Sequence, residues 1–209
     1  NLIATAPHLL PGWLRMPQGH RVVGPVYARL PGELPEFLAD LVAGPQPLVY
    51  FAMGSSGNRD LVLHVLAGLG RADCQVLAPV RSHLRQEDLE TLPRNVHVTD
   101  WIPAHQLGDA VDLAITHGGE GTVQTSCVQG WPFIGIPLQF EQRFNVQRCV
   151  AFGSARLVSQ REARRADWAE LVRQALADDG MRSRARRMAG LMEGLDGPGR
   201  AAEAICELL

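Results

Sequence analysis

Short apolar runs alternate with longer segments of helical period from residue 48 to the end of the chain. A short continuous apolar run is typical of a strand that is buried on both faces, whereas apolar residues at every third or fourth position predict an amphipathic helix. The short runs predict strands at 48–53, 75–79, 96–99, 111–116, 133–136 and 155–158. The longer period predicts helices at 60–69, 121–129, 142–152, 168–177, 182–191 and 200–209.

Strands that alternate with helices form a parallel sheet with helices on both faces. We therefore predict a doubly wound, Rossmann-like α/β fold. In such sheets ligands bind beyond the carboxyl ends of the strands, so the residues just after each strand are the candidate site residues. They are Gly54-Ser55-Ser56, Pro79, Trp101, His117-Gly118-Gly119 and Gln139-Phe140-Glu141-Gln142.

The region before residue 48 of this 209-residue chain is rich in proline and glycine, with one short predicted helix at 34–42. Such turn-forming residues are typical of a connecting segment. We interpret residues 1–46 as an interdomain linker together with the end of an amino-terminal domain, most of which is missing, and residues 47–209 as one Rossmann-like domain. The chain starts at Asn1 without the features of a signal peptide, so we expect it to be a fragment.

Composition and charge exclude several classes of protein. The net charge of -2 argues against nucleic acid as a partner, since proteins that bind it are usually basic. No apolar run approaches the ~20 residues of a membrane-spanning helix. All 20 basic residues are arginines, which excludes a P-loop lysine, a Schiff-base lysine and a lysine general base. The four cysteines lack metal-ligand spacing, so we expect buried thiols in the cytoplasm and no metal site.

The clearest motif is the turn His117-Gly118-Gly119-Glu120-Gly121-Thr122, between a predicted strand and a predicted helix. Its glycines let the backbone approach a ligand, and the helix directs unpaired N–H groups and its positive dipole end toward the turn. We therefore predict an anion site in which His117 donates to a phosphate oxygen. Gly121 and Thr122 would add backbone N–H groups and a hydroxyl. A core or capping histidine is the alternative for His117.

Three further groups follow other predicted strands, and each has a structural alternative. Ser55 and Ser56 could bind a phosphate or cap the next helix. Trp101 could contact a nucleobase or pack on the next helix as a surface anchor. Glu141 and Gln142 could clamp sugar hydroxyls or serve as first-turn residues of a helix. Together the groups indicate a ligand with a base, a diphosphate and a sugar.

As an ordered set, these motifs resemble the carboxyl-terminal half of a GT-B glycosyltransferase of the family 1 type. Bacterial members of that type transfer sugars from nucleotide donors to natural products such as macrolides and polyketides. The resemblance covers nearly the whole chain. The motifs that carry it are Val22-Val23-Gly24-Pro25-Val26, Phe51-Ala52-Met53-Gly54-Ser55-Ser56, Asp100-Trp101-Ile102-Pro103, the His117 turn, Gly130-Trp131-Pro132 and Pro137-Leu138-Gln139-Phe140-Glu141-Gln142.

The resemblance implies a role for each motif. Trp101 and Ile102 would contact the base, and Glu141 with Gln142 would orient the sugar. The residues that would hold the diphosphate are Ser55, Ser56, His117, Gly118, Gly119, Gly121 and Thr122. The implied reaction is an inverting displacement at the anomeric carbon that needs no metal or cofactor. Its general base and its pocket for a small-molecule acceptor would belong to the amino-terminal domain, so the fragment should bind donor and catalyse little.

Two positions depart from the usual pattern of the family, and a third bears on the nucleotide. Glu141 replaces the more usual Asp, so its carboxylate reaches one methylene further. Glu120 occupies a position that usually holds a small or apolar residue, and it should face away from a diphosphate. Members that use uridine donors commonly carry a Glu eight residues after the motif histidine, whereas this chain has Thr125. We therefore predict a thymidine diphosphate sugar as donor, with a uridine diphosphate sugar as the alternative.

Two other classes remain as alternatives. A nicotinamide dinucleotide enzyme would also have glycines after a strand, but its G-x-G-x-x-G fingerprint follows the first strand of the sheet. Here the glycines follow the fourth predicted strand and read G-G-x-G. A nucleotide-sugar epimerase of similar two-domain architecture would share the donor site, and analysis of the reaction products would separate it from a transferase.

Overall fold

The computed structural model describes residues 1–12, 14–27, 29 and 31–207. Its strands are β1 (Leu2–Ile3), β2 (Arg21–Val22), β3 (Leu48–Ala52), β4 (Gln75–Ala78), β5 (Val96–Val98), β6 (Leu113–Thr116), β7 (Phe133–Gly135) and β8 (Ala155–Leu157). Its α-helices are α1 (Leu38–Ala43), α2 (Arg59–Leu69), α3 (Gln86–Leu89), α4 (Glu120–Gln129), α5 (Phe140–Phe152), α6 (Gln160–Ala163), α7 (Trp168–Leu176), α8 (Asp179–Met192) and α9 (Gly197–Cys206).

Six strands form one parallel sheet in the order β5-β4-β3-β6-β7-β8. Within this sheet the chain begins at the central strand β3 and continues outward through β4 to β5. It then returns to β6 beside β3 and continues outward in the other direction through β7 to β8. This doubly wound arrangement confirms the predicted fold class. The reversal between β3 and β6 is the topological switch point, where the loops after two neighbouring strands diverge and leave a crevice.

The core has two halves, one on each face of the sheet. Alternate residues of β3 belong to different halves, because successive side chains of a strand point to opposite faces of the sheet. Val49 and Phe51 belong to the half that α2 and α7 cover, whereas Leu48, Tyr50 and Ala52 belong to the half that α4, α5 and α8 help to form. Both halves are apolar, which explains why the strands are continuous apolar runs rather than alternating ones.

The amino-terminal segment packs on the second half of the core. β1 and β2 pair in parallel, and Ala6 and Leu9 are buried in the same cluster as Val123 of α4 and Val146 of α5. The predicted helix at 34–42 is present as the shorter α1. Residues 1–46 therefore pack against the Rossmann-like domain at several points. Their assignment to an interdomain linker stays a prediction.

The helix ends explain where prediction and structure differ. The end of the predicted helix 200–209 includes Leu208 and Leu209, which lie outside the described residues. α5 begins two residues earlier than predicted, because Gln142 caps it from within its first turn. The short helices α3 and α6 were not predicted, since four residues show no helical period. Among the described residues, no helix combines the length and apolarity needed to cross a bilayer.

Candidate functional site

The site forms at the switch point, where the turn after β6 meets the loop after β3. Gly54 has a left-handed backbone with φ of 53°, and a Cβ there would lie 2.7 Å from Cε1 of His117. A Cβ on Gly119 would overlap Nε2 of the same ring. Glycines on both loops therefore confine the imidazole, which is a physical reason for glycine at these two positions.

His117 is a buried, neutral histidine. Only 7% of it is exposed, and its Nδ1 is buried without a hydrogen-bond partner among the described residues. Burial lowers its pKa, while the Ala52 carbonyl and the Glu141 carboxylate act in the opposite direction. A neutral imidazole carries one N–H and one acceptor nitrogen. The ring can therefore donate one hydrogen bond to an anion and would bind a proton more readily once the anion is present.

The amino end of α4 supplies unpaired backbone N–H groups next to His117. Gly119 is the N-cap residue, and no described side chain caps the helix. The first N–H groups of a helix have no partner within it, so Glu120, Gly121 and Thr122 present theirs to the crevice. A Cβ on Gly121 would meet no described heavy atom within 4 Å, so the space beside it is open.

The Thr122 hydroxyl is already used inside the turn. It donates to the Gly119 carbonyl at 2.9 Å and accepts from Thr116 Oγ1 at 2.8 Å. Because its single proton is committed, this hydroxyl is not the free donor that the sequence led us to expect. The backbone N–H of Thr122 is the group that remains for an anion.

Gln142 joins two loops of the site. Its side chain is 3% exposed, and Oε1 accepts from the backbone N–H groups of Leu138 and Gln139 at 2.9 and 3.2 Å. Its Nε2 donates to Ser56 Oγ at 3.0 Å. Gln142 is thus both a first-turn residue of α5 and a bridge to the loop after β3, in which Ser55 is exposed.

Asn145, which the sequence did not single out, holds Glu141. Its Nδ2 donates both to the Glu141 carboxylate and to the Gly118 carbonyl, the latter at 3.1 Å. Glu141 itself is exposed. Glu120 faces the amino-terminal segment instead, where Gln124 donates to its carboxylate at 2.5 Å and burial raises its pKa. The expectation that Glu120 points away from the anion site is thus met.

A cavity of about 250 Å³ lies beside the turn. The residues that line it come from the ends of four strands and from the segment before the sheet: Tyr27, Tyr50, Ala52, Gly54, Pro79, Trp101, Ile102, Ala104, His105, Gly121, Thr122 and Thr125. Trp101 is 52% exposed, whereas Ile102 is 4% exposed. The structure therefore brings Trp101 and Ile102 to the same cavity as Gly121 and Thr122, and it places Glu141 and Gln142 on α5 beyond the turn.

His83 is a second histidine that the sequence did not indicate. It follows β4, and its Nε2 lies 2.7 Å from the Gly54 carbonyl oxygen. Its charge when protonated would further lower the pKa of His117. Its position shortly after a predicted strand could have identified His83 as a candidate site residue. The residues Pro79-Val80-Arg81-Ser82 separate it from the end of β4, so it does not directly follow the strand.

The described residues form a doubly wound α/β domain with a candidate anion site at its switch point. Residues 63–208 match the family model described as "Erythromycin biosynthesis protein CIII-like, C-terminal domain". The chain belongs to this family. This result confirms the resemblance to the carboxyl-terminal half of natural-product glycosyltransferases.

Named relatives agree with the family. The PGL/p-HBAD biosynthesis rhamnosyltransferase of Mycobacterium bovis is 29% identical over 189 residues, which are 90% of this chain and 41% of the relative. The 4'-demethylrebeccamycin synthase of Lentzea aerocolonigenes is 31% identical over 183 residues, which are 83% of this chain and 41% of the relative. The chain therefore spans about two fifths of the length of these curated relatives.

Solved structures agree on the fold. The spinosyn rhamnosyltransferase SpnG complexed with thymidine diphosphate has a TM-score of 0.79 and 19% sequence identity. The match covers 99% of this chain and 56% of that chain. At this level of identity the likeness shows the shared fold, and the roles of individual residues must come from the site itself.

Proposed function

We propose that this chain is the donor-binding half of a glycosyltransferase and that it binds a nucleoside diphosphate sugar at the switch point of its sheet. One observation carries the proposal. One cavity is lined both by Trp101 and by the uncapped first turn of α4, so it matches a ligand with a flat base and a negatively charged diphosphate.

The same geometry suits the departure of a diphosphate. As the bond from the anomeric carbon to the diphosphate breaks, negative charge grows on the leaving oxygen, and groups aimed at that charge stabilise the transition state. His117 would donate one hydrogen bond, and the dipole at the start of α4 adds about 0.3–1 kcal/mol for a favourable charge. Neither interaction requires a metal ion or a cofactor.

The other half of the reaction would come from the amino-terminal half of the full-length protein. In this proposal a general base there activates a hydroxyl of a small-molecule acceptor, and that hydroxyl attacks the face of the sugar opposite the diphosphate. Configuration at the anomeric carbon is therefore inverted. Glu141, exposed at the start of α5, is placed to hold sugar hydroxyls during the attack.

We propose a thymidine diphosphate sugar as the donor. Thr125 lines the cavity where a longer carboxylate side chain could reach ribose hydroxyls. Its own hydroxyl donates back to the Gly121 carbonyl at 2.9 Å, so it offers a nucleoside little hydrogen bonding. A deoxyribose needs less of that contact than a ribose. The thymidine diphosphate bound to the structurally similar rhamnosyltransferase is consistent with this choice.

Calorimetric titration of this chain with thymidine diphosphate, uridine diphosphate and NAD tests the proposal. We expect the tightest binding for thymidine diphosphate and a large loss of affinity in His117→Ala. Preference for uridine diphosphate would overturn the choice of donor alone. Binding of NAD in preference to both would favour the dehydrogenase alternative, and analysis of products from the full-length protein would separate transfer from epimerisation.

A further inference from the structure

Tyr50 is a buried tyrosine in the wall of the nucleotide cavity. It lies in the middle of β3, is 7% exposed, and packs its ring against Trp131 with the ring centroids 5.6 Å apart. It is also one of the residues that line the cavity beside Trp101. In the sequence it is one residue of a continuous apolar run that predicts a strand.

The hydroxyl of Tyr50 has no partner in the part of the chain that the structure describes. It forms no hydrogen bond with another described residue, and it is not sealed from the space of the cavity. Burial raises the pKa of this phenol well above its usual range, so the hydroxyl keeps its proton at neutral pH. Buried tyrosine hydroxyls usually have a hydrogen-bond partner, because an unsatisfied polar group is costly. An acceptor atom on a ligand would supply it.

The second tyrosine of the cavity offers a contrast. The Tyr27 hydroxyl accepts a hydrogen bond from Arg29 Nη2 at 3.1 Å, and the Arg29 guanidinium lies over the ring. Tyr27 therefore has a partner within the protein, whereas the Tyr50 hydroxyl has none among the described residues. The difference indicates that Tyr50 is the group kept available for something that enters the cavity.

The position of Tyr50 selects one part of the ligand. The diphosphate would lie at the start of α4, and the sugar beyond it toward α5. A cavity of about 250 Å³ is slightly smaller than the ~300–1,000 Å³ of typical ligand pockets, so it suits a nucleoside rather than the complete donor. Tyr50 lines this nucleoside space.

We propose that Tyr50 is a further donor-binding residue, whose hydroxyl donates a hydrogen bond to an oxygen of the nucleoside part of a nucleoside diphosphate. The acceptor is a carbonyl of a pyrimidine base or an oxygen of the sugar ring attached to it. This inference rests on the proposed function, since it names a recognition group within the same site.

Tyr50→Phe tests the inference, because it keeps the ring against Trp131 and removes only the oxygen. Calorimetric titrations should show binding of thymidine diphosphate weakened by about tenfold, the size expected for one hydrogen bond, with binding of inorganic pyrophosphate unchanged. The comparison variant His117→Ala should weaken both ligands. The melting temperature of the free Tyr50→Phe protein should not fall, since no hydrogen bond within the protein is lost.

Adenosine diphosphate identifies the acceptor atom, because it has a ribose but no base carbonyl. A weaker affinity of Tyr50→Phe for it assigns the contact to the sugar ring, whereas an unchanged affinity assigns it to the base. Wild-type affinity of Tyr50→Phe for thymidine diphosphate would overturn the inference while leaving the proposed function intact. Failure of the wild-type chain to bind any nucleoside diphosphate would overturn the proposed function and this inference with it.

Discussion

At the scale of single residues, the site is built around one histidine that glycines hold in place. His117 is confined between Gly54 and Gly119, has little contact with solvent, and is neutral because burial lowers its pKa. A neutral, preorganised imidazole needs no rearrangement to donate to an anion. Its confinement also means that small changes in the adjacent backbone should have large effects on binding.

The first prediction concerns pH. Because the folded pKa of His117 lies below its unfolded value of about 6.5, the unfolded chain binds the proton first as the pH falls. The contribution of His117 to stability is therefore complete above about pH 6.5 and decreases as the pH falls toward the folded pKa. Urea unfolding at pH 7 and pH 5 should show a larger loss of stability for the wild type than for His117→Gln. Equal losses would contradict a lowered pKa.

A second prediction uses two glycines of the same turn. Gly119→Ala would push a methyl group into the His117 ring, so we expect destabilisation by about 1–3 kcal/mol and loss of diphosphate binding. Gly121 lies in the first turn of α4, and the methyl group of Gly121→Ala would point into open space. The free energy of unfolding of this variant should be unchanged or higher by about 0.5–1 kcal/mol.

Chemical unfolding and calorimetry of both variants distinguish packing from ligand contact. If the diphosphate approaches the backbone at Gly121, the Gly121→Ala protein will be stable and yet bind thymidine diphosphate more weakly. Undiminished binding by Gly121→Ala would place the diphosphate elsewhere on the turn.

At the scale of secondary-structure elements, α5 is tied to the turn after β6 and to the loop after β3 through two amide side chains. Asn145 connects the Glu141 carboxylate to the Gly118 carbonyl, and Gln142 connects the start of α5 to Ser56. These hydrogen bonds therefore fix the proposed sugar contact, Glu141, relative to the turn proposed to bind the diphosphate.

The third prediction tests this connection. Asn145→Ala leaves the buried Gly118 carbonyl without its donor, so the free energy of unfolding should fall by about 1–3 kcal/mol. Gln147→Ala, at an exposed position of the same helix, should stay within about 0.5 kcal/mol of the wild type. Asn145→Ala should also lose affinity for a thymidine diphosphate sugar relative to thymidine diphosphate, because Glu141 is no longer held. An equal effect on both ligands would assign Asn145 to the turn alone.

The strands and helices were predictable from the sequence, whereas most of the contacts between them were not. Strand and helix periods are local properties, so all six strands of the sheet and the helices of nine or more residues were recognised. The burial of Gln142, the partners of Asn145 and the open hydroxyl of Tyr50 depend on residues far away in the chain. A polar residue at the start of a helix gives no local sign of whether it faces a ligand or a neighbouring loop.

At the scale of the whole molecule, the proposed donor site is assembled from segments that only the folded sheet brings together. Trp101 and Gly54 follow two different strands, Gly121 lies in the first turn of α4, and all three line one cavity. Binding of a donor should therefore stabilise the fold as a unit. The order of motifs along the chain predicted which loops would meet, because strand order in doubly wound sheets follows a common plan.

The fourth prediction concerns the increase in melting temperature that a bound ligand should cause. A ligand present at 100 times its Kd stabilises the folded state by about 2.7 kcal/mol, and each kcal/mol raises the melting temperature of a chain of this size by roughly 2–4 °C. Thymidine diphosphate should therefore raise the melting temperature by about 5–11 °C in a thermal scan. The same total concentration of NAD should have no comparable effect, and His117→Ala should respond less than the wild type.

The packing of the amino-terminal segment has a practical consequence for the construction of hybrid enzymes. Ala6 and Leu9 pack in the half of the core that includes Val123 of α4, and Leu38 is buried in the same half. A junction at residue 47, where the regular alternation of strands and helices begins, would remove these side chains and uncover Val123, which lines a cavity together with Leu9. A donor module exchanged between transferases should therefore carry its first 46 residues with it, even though they contribute no strand to the main sheet.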